Sequence, residues 1–86
     1  MSGVKISIIV PTYNQELYLA RCIRSLLNQS MNKDEYEIIV INDGSTDNTK
    51  NILEPFLNNI KYLVNKKNMG LAKSLNVGIK NSTAQF

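Results

Sequence analysis

Three short polar stretches carry the residues in this 86-residue chain that could do chemistry. The first is Pro11-Thr12-Tyr13-Asn14. The second is Asn42-Asp43-Gly44-Ser45, with Asp47 close behind. The third runs from Asn65 to Gly70 and includes Lys66, Lys67 and Asn68. Together they offer an aromatic ring, several amides, carboxylates and two lysines. That inventory suits a nucleotide. An aromatic or apolar wall packs a base, a carboxylate or amide accepts from a base N–H or a ribose hydroxyl, and cations meet phosphate. Plainer readings stand beside it. Tyr13 can be a packing residue at a strand end. Asp47 reads first as a cap of the next helix, and Lys66 and Lys67 as solvated turn residues.

The elements that must position these stretches alternate. Ile38-Ile39-Val40-Ile41 is a run of four β-branched residues without polar alternation, which predicts a strand buried on both faces of a parallel sheet. Asp43 then stands at the carboxyl end of a buried strand, where open α/β sheets bind ligands. Gly44 allows a sharp turn, and Ser45 or Thr46 can cap the helix that follows. Val4 to Val10 predicts another strand, stopped by Pro11, with Asn14 as a helix cap. Gln15 to Asn28 predicts a helix with Leu19, Ile23, Leu26 and Leu27 on one face. Ser30 to Asp34 is a surface connection. Thr49 to about Asn58 predicts a second helix with Ile52, Phe56 and Leu57 inward, interrupted near Pro55. Ile60 to Val64 is a short third strand. Leu71 to Ser82 is a third helix, with Leu71, Leu75 and Ile79 spaced by four. Gly78 inside it costs about 1 kcal/mol relative to Ala, which suggests the close approach of a neighbour.

Strand–helix three times over implies parallel strands joined by right-handed crossovers, in the order 3-2-1. The fold class expected is a three-layer, Rossmann-like α/β half-domain. Residues 83–86 fall where a fourth strand would begin. That placement predicts a truncated domain whose first strand lacks one neighbour and is open to self-association.

Composition sets the outer bounds. Hydrophobic residues at 43% and charged residues at 20% are globular values, so a disordered chain is excluded. The net charge of +3 does not choose among anionic partners, and no nucleic-acid partner is expected. Cys22 is the only cysteine, so no internal disulfide forms, and it reads as a small core residue. There is no His, which removes the commonest general base and metal ligand. No apolar run approaches the roughly 18 residues of a membrane span. No signal peptide precedes the first strand, so a cytoplasmic location is expected, with a membrane-peripheral role left open. Three familiar motifs are missing: a Gly-x-Gly-x-x-Gly fingerprint, a P-loop and a Gly-x-Ser-x-Gly elbow.

The segments Val4 to Asn14 and Tyr36 to Asp47 closely resemble the amino terminus of family 2 inverting glycosyltransferases. Leu26-Leu27-Asn28-Gln29-Ser30, Asn68-Met69-Gly70 and Asn76-Val77-Gly78 are similar to theirs as well. The resemblance covers nearly the whole chain. It implies the nucleotide-sugar-binding part of a GT-A type fold and a nucleoside-diphosphate sugar donor, often a UDP sugar. By that resemblance Pro11, Thr12 and Tyr13, with Asn14, line the base pocket. Asp43 and Gly44 meet uracil or ribose, and Asn68, Gly70, Lys73 and Asn76 approach the nucleotide. It also implies a divalent cation, Mn or Mg, held by an Asp-x-Asp motif beyond Phe86, and a catalytic carboxylate further on. No catalytic or metal-binding residue is therefore expected here, and the isolated chain is expected to be inactive. The acceptor, whether saccharide, lipid or protein, stays open. Two positions depart from the family pattern. Asn42 stands where many relatives carry Asp. Leu75 stands where many carry Arg, with Lys73 the nearest cation. The alternatives are a non-catalytic nucleotide-binding module of the response-regulator kind and a purely structural or interaction fragment. The first would need an acidic pair where Pro11-Thr12-Tyr13 stands.

Overall fold

A computed structural model describes residues 4–28, 32 and 34–82. Three strands alternate with three helices: β1 (Ile6–Thr12), α1 (Glu16–Leu27), β2 (Tyr36–Asp43), α2 (Thr49–Leu53), β3 (Lys61–Asn65) and α3 (Leu71–Lys80). The sheet is parallel, with β2 between β1 and β3. Its register sets Thr12 beside Asn42 and Asp43 beside Asn65, so the polar ends of the three strands lie level.

The apolar run of β2 makes it the centre of the molecule. Ile38, Ile39, Val40 and Ile41 are all buried, each contributing roughly 1.5–3 kcal/mol by leaving water. Alternation splits them between two layers. Ile38 and Val40 join Leu19 and Ile23 of α1 and Leu53 of α2 in one core. Ile41, with Ile9 of β1, faces Gly78 of α3 on the other side. A Cβ on Gly78 would lie 2.5 Å from Ile9 Cγ2 and 2.9 Å from Ile41 Cδ1. Absence of that side chain lets α3 lie flat on β1 and β2.

Several expectations need correction. β1 runs through Pro11 to Thr12 instead of stopping at Val10. Pro11 stands opposite Ile41 in the parallel register, so the proline ends neither the strand nor its pairing. β3 is shifted by one residue, to Lys61–Asn65. α2 ends at Leu53 and passes into a 3₁₀ turn, Glu54–Phe56, that contains Pro55. The fully buried residue there is Leu53, with Phe56 partly buried against the same core as expected, while Leu57 is exposed. In α3 the residues against the sheet are Ser74 and Gly78; Leu71 and Ile79 are exposed. Cys22 is exposed, not in the core. The connection expected at Ser30 to Asp34 falls largely outside the described residues, and a strand from Thr83 onward falls wholly outside them.

Candidate functional site

Asp43, the last residue of β2, organises the carboxyl end of the sheet. Its carboxylate is buried, yet it accepts hydrogen bonds from every side of the β3–α3 loop. Oδ1 accepts from Asn65 Nδ2 at 3.0 Å and from the Met69 N–H at 2.8 Å. Oδ2 accepts from the Gly70 N–H at 3.0 Å. These donors stabilise the charged form, the Met69 N–H most and then Asn65, against the opposing effect of burial. The Asp43 pKa is therefore held below the ordinary carboxylate value. Asn65 Nδ2 also donates to Ser74 Oγ at 3.2 Å, which ties α3 to the same cluster.

Gly44 is what allows the loop to come so close. Its φ is +75°, and a Cβ there would lie 2.6 Å from both the Asn68 nitrogen and the Lys67 carbonyl carbon. The backbone at Lys67–Asn68 thus passes directly over Gly44, in a left-handed turn that favours glycine.

A second carboxylate joins the helices. Asp47 Oδ2 accepts from the Glu16 N–H of α1 at 3.2 Å. Its Oδ1 accepts from the Thr49 N–H at 3.1 Å and from the Thr49 hydroxyl. The Thr49 hydroxyl is the largest of the influences that hold the Asp47 pKa low. The capping reading of Asp47 stands, extended to two helix amino termini at once. Ser45 and Thr46 do not cap α2. Asn14 is not the cap of α1 either. It sits at φ 52° and stitches two loops, its Oδ1 accepting from the Thr46 N–H at 2.8 Å and the Asp47 N–H at 3.3 Å. Asn42 completes the frame, accepting from the Ser45 N–H at 2.8 Å and donating to the Tyr62 hydroxyl at 2.8 Å.

Within this frame lies an open cavity of about 310 Å³. Pro11, Thr12, Tyr13 and Gln15 line one side; Asp43, Asn68, Gly70, Leu71 and Ser74 line the other. Its contents are an apolar wall, an aromatic ring and an anionic acceptor. A groove of about 280 Å³ lies at the opposite end of the strands, around Tyr36, Asn58 and Asn59. There Glu37 and Lys61 pair at 2.7 Å. Strand-end position and the Asp43 cluster favour the first cavity as the site.

Of the residues singled out by sequence, Pro11, Thr12, Tyr13, Asp43, Asn68 and Gly70 meet around this cavity. Asn14 and Gly44 support it from behind. Lys73 and Asn76 are exposed and do not line it. One turn of α3 presents Leu71 and Ser74 instead, a pair three residues apart on one helix face. Gln15, Leu71 and Ser74 were missed; a serine within an otherwise apolar helix face was the available signal. Thr12 shares the face of Ile8 and Val10 by strand alternation. Its hydroxyl oxygen is buried without a partner among the described residues.

A model of glycosyl transferase family 2 matches residues 7–86. The chain belongs to that family. It is 37% identical over 86 residues to TarS of Staphylococcus aureus, a poly(ribitol-phosphate) beta-N-acetylglucosaminyltransferase, covering 96% of this chain and 15% of that protein. TarP of the same organism, of the same described activity, is 40% identical over 85 residues, covering 95% and 26%. A crystal structure of S. aureus TarS in complex with UDP-GlcNAc superposes with a TM-score of 0.84 at 38% identity, over 94% of this chain and 24% of that one. The chain thus spans about a quarter or less of the length of these relatives. Its open parallel sheet with alternating helices matches the GT-A type fold of the solved glycosyltransferases.

The divalent cation associated with the family is not fitted by the residues described. Among them no three His, Cys, Asp or Glu side chains gather into a metal-binding group. Asp43 and Asp47 each accept N–H or O–H donors on both carboxylate oxygens. Among the described residues no helix is long and apolar enough to cross a membrane.

Proposed function

We infer that this chain forms the donor-nucleotide half of an inverting glycosyltransferase, and that the donor is a UDP sugar. The observation that carries the reading is the Asp43 carboxylate. It is buried, held ionised and fixed at the edge of a cavity with an aromatic wall. A group that only accepts hydrogen bonds selects a ligand that presents an N–H or O–H, as a uracil ring or a ribose does. Tyr13, half-exposed beside Pro11 and Leu71, offers the base a flat apolar surface. The similarity to TarS, solved with UDP-GlcNAc, supports the same donor class.

In the whole protein an acceptor hydroxyl attacks the anomeric carbon from the face opposite the departing nucleoside diphosphate. A carboxylate outside these residues takes the proton. What these residues supply is binding: they seat the base and ribose so that the sugar is held for attack. The test is sugar transfer by the full-length protein, read as acceptor-dependent UDP release from a panel of UDP sugars. The anomeric configuration of the product is read by NMR. Expected are turnover with inversion and a roughly ten- to hundredfold fall in kcat/KM for Asp43→Ala, the scale of a lost hydrogen bond to a charged group. Turnover with retention, or an Asp43→Ala variant as active as wild type, contradicts the reading.

A further inference from the structure

Asp43 does not stand alone in its orientation, and the asymmetry of its partners carries a further role. Oδ1 takes two donors, Asn65 Nδ2 and the Met69 N–H, whereas the Gly70 N–H is the backbone donor on Oδ2. A carboxylate oxygen has about two lone-pair sites, so Oδ1 is filled by Asn65 and Met69. The Ser74 hydroxyl adds a weaker stabilising influence on the charged carboxylate, and Oδ2 is the oxygen with room for a ligand. Asn65 lies directly opposite Asp43 in the β2–β3 register, and its amide spends both hydrogens at once, on Asp43 Oδ1 and on Ser74 Oγ. Ser74 is fully buried on the sheet-facing side of α3 and lines the same cavity as Asp43. The amide therefore cannot turn without losing both acceptors.

We propose that Asn65 is a positioning residue for nucleotide binding: anchored on Ser74, it locks Asp43 Oδ1 into the loop and turns Oδ2 toward the N–H of the bound base. The inference rests on the nucleotide reading above and assigns to Asn65 a role beyond packing. Sequence inspection places Asn65 at the start of the third polar loop without a role of its own; the pairing across strands reveals one.

The role has a signature that a scaffold residue would lack. Asn65 donates to the charged form of Asp43, so its removal raises the pH at which Asp43 takes up a proton and stops accepting from the base. The other groups near Asp43 are the backbone N–H donors of the loop, Ser74 and Tyr13 across the cavity. Lys66, Lys67 and Lys73 are exposed. The experiment uses uridine as probe, because its base and ribose do not titrate in the acid range. Binding to the wild type, Asn65→Ala and Ser74→Ala is followed by amide shifts from neutral pH downward, with urea unfolding as a check on folding. The expected result is about three- to tenfold weaker binding by Asn65→Ala at neutral pH, a positioning loss smaller than the loss of the Asp43 hydrogen bond itself. Its acid limb moves to higher pH, and Ser74→Ala moves the same way by less. Wild-type affinity with an unmoved acid limb in Asn65→Ala overturns the proposal. Should that variant not fold, the same result in the near-isosteric Asn65→Leu overturns it. A wild type that binds no uridine at all refutes the nucleotide reading itself, a separate outcome.

Discussion

Asp43 and Asp47 make this fold an acid-sensitive one. Both carboxylates hold pKa values below the ordinary range in the fold, because N–H and O–H donors favour the charged form. In the unfolded chain each returns to about 3.9. Between the lowered and the ordinary value the unfolded chain binds more protons, so stability rises with pH there. Their contribution is fully present above the ordinary value and is lost as pH falls through the lowered ones. The Met69 and Gly70 amide shifts should titrate with Asp43, with a midpoint below about 3.9; a midpoint above it would contradict the hydrogen bonds assigned. Asp43 was legible in the sequence because a buried run ending in Asp-Gly is visible as letters. Its partners were not, since a backbone N–H leaves no trace in residue type. Asn14 failed as a cap for a similar reason. An Asn before a helix fits a cap or a loop stitch equally, and only the approach of Thr46 and Asp47 decides.

At the scale of elements, β2 was the most legible part, because four adjacent β-branched residues can be buried only between two layers. α3 was the least. Leu71, Leu75 and Ile79 form a regular apolar stripe, yet the helix turns its small residues to the sheet. Close approach favours Ser74 and Gly78 there, and it leaves Leu71 for the cavity. Gly78→Ala should test this. An exposed helix would gain about 1 kcal/mol from the change; here overpacking against Ile9 and Ile41 should make it destabilising by about 1–3 kcal/mol, measured by urea unfolding. The stretch around Pro55 gives a paired test. Leu53→Ala should cost roughly 2–5 kcal/mol as a fully buried residue, and Leu57→Ala within about 0.5 kcal/mol of nothing. Equal costs at the two positions would contradict the 3₁₀ break.

As a whole molecule, the three loops converge because three parallel strands end level, and that convergence followed from the alternation of elements alone. What alternation did not reveal is which loop residues turn inward: Lys73 and Asn76 carry the right chemistry for a nucleotide but lie away from the cavity. Among the described residues β1 has one strand neighbour, with Ile6 exposed along it. The most direct measurement is a UDP titration of this chain followed by amide chemical shifts, with Asp43→Ala beside it. Shifts confined to Tyr13, Asp43, Asn68 to Leu71 and Ser74, and lost in the variant, are the predicted result. Shifts centred instead on the groove around Tyr36 and Asn59, or unchanged by Asp43→Ala, would contradict a donor-nucleotide site at the carboxyl end of the sheet.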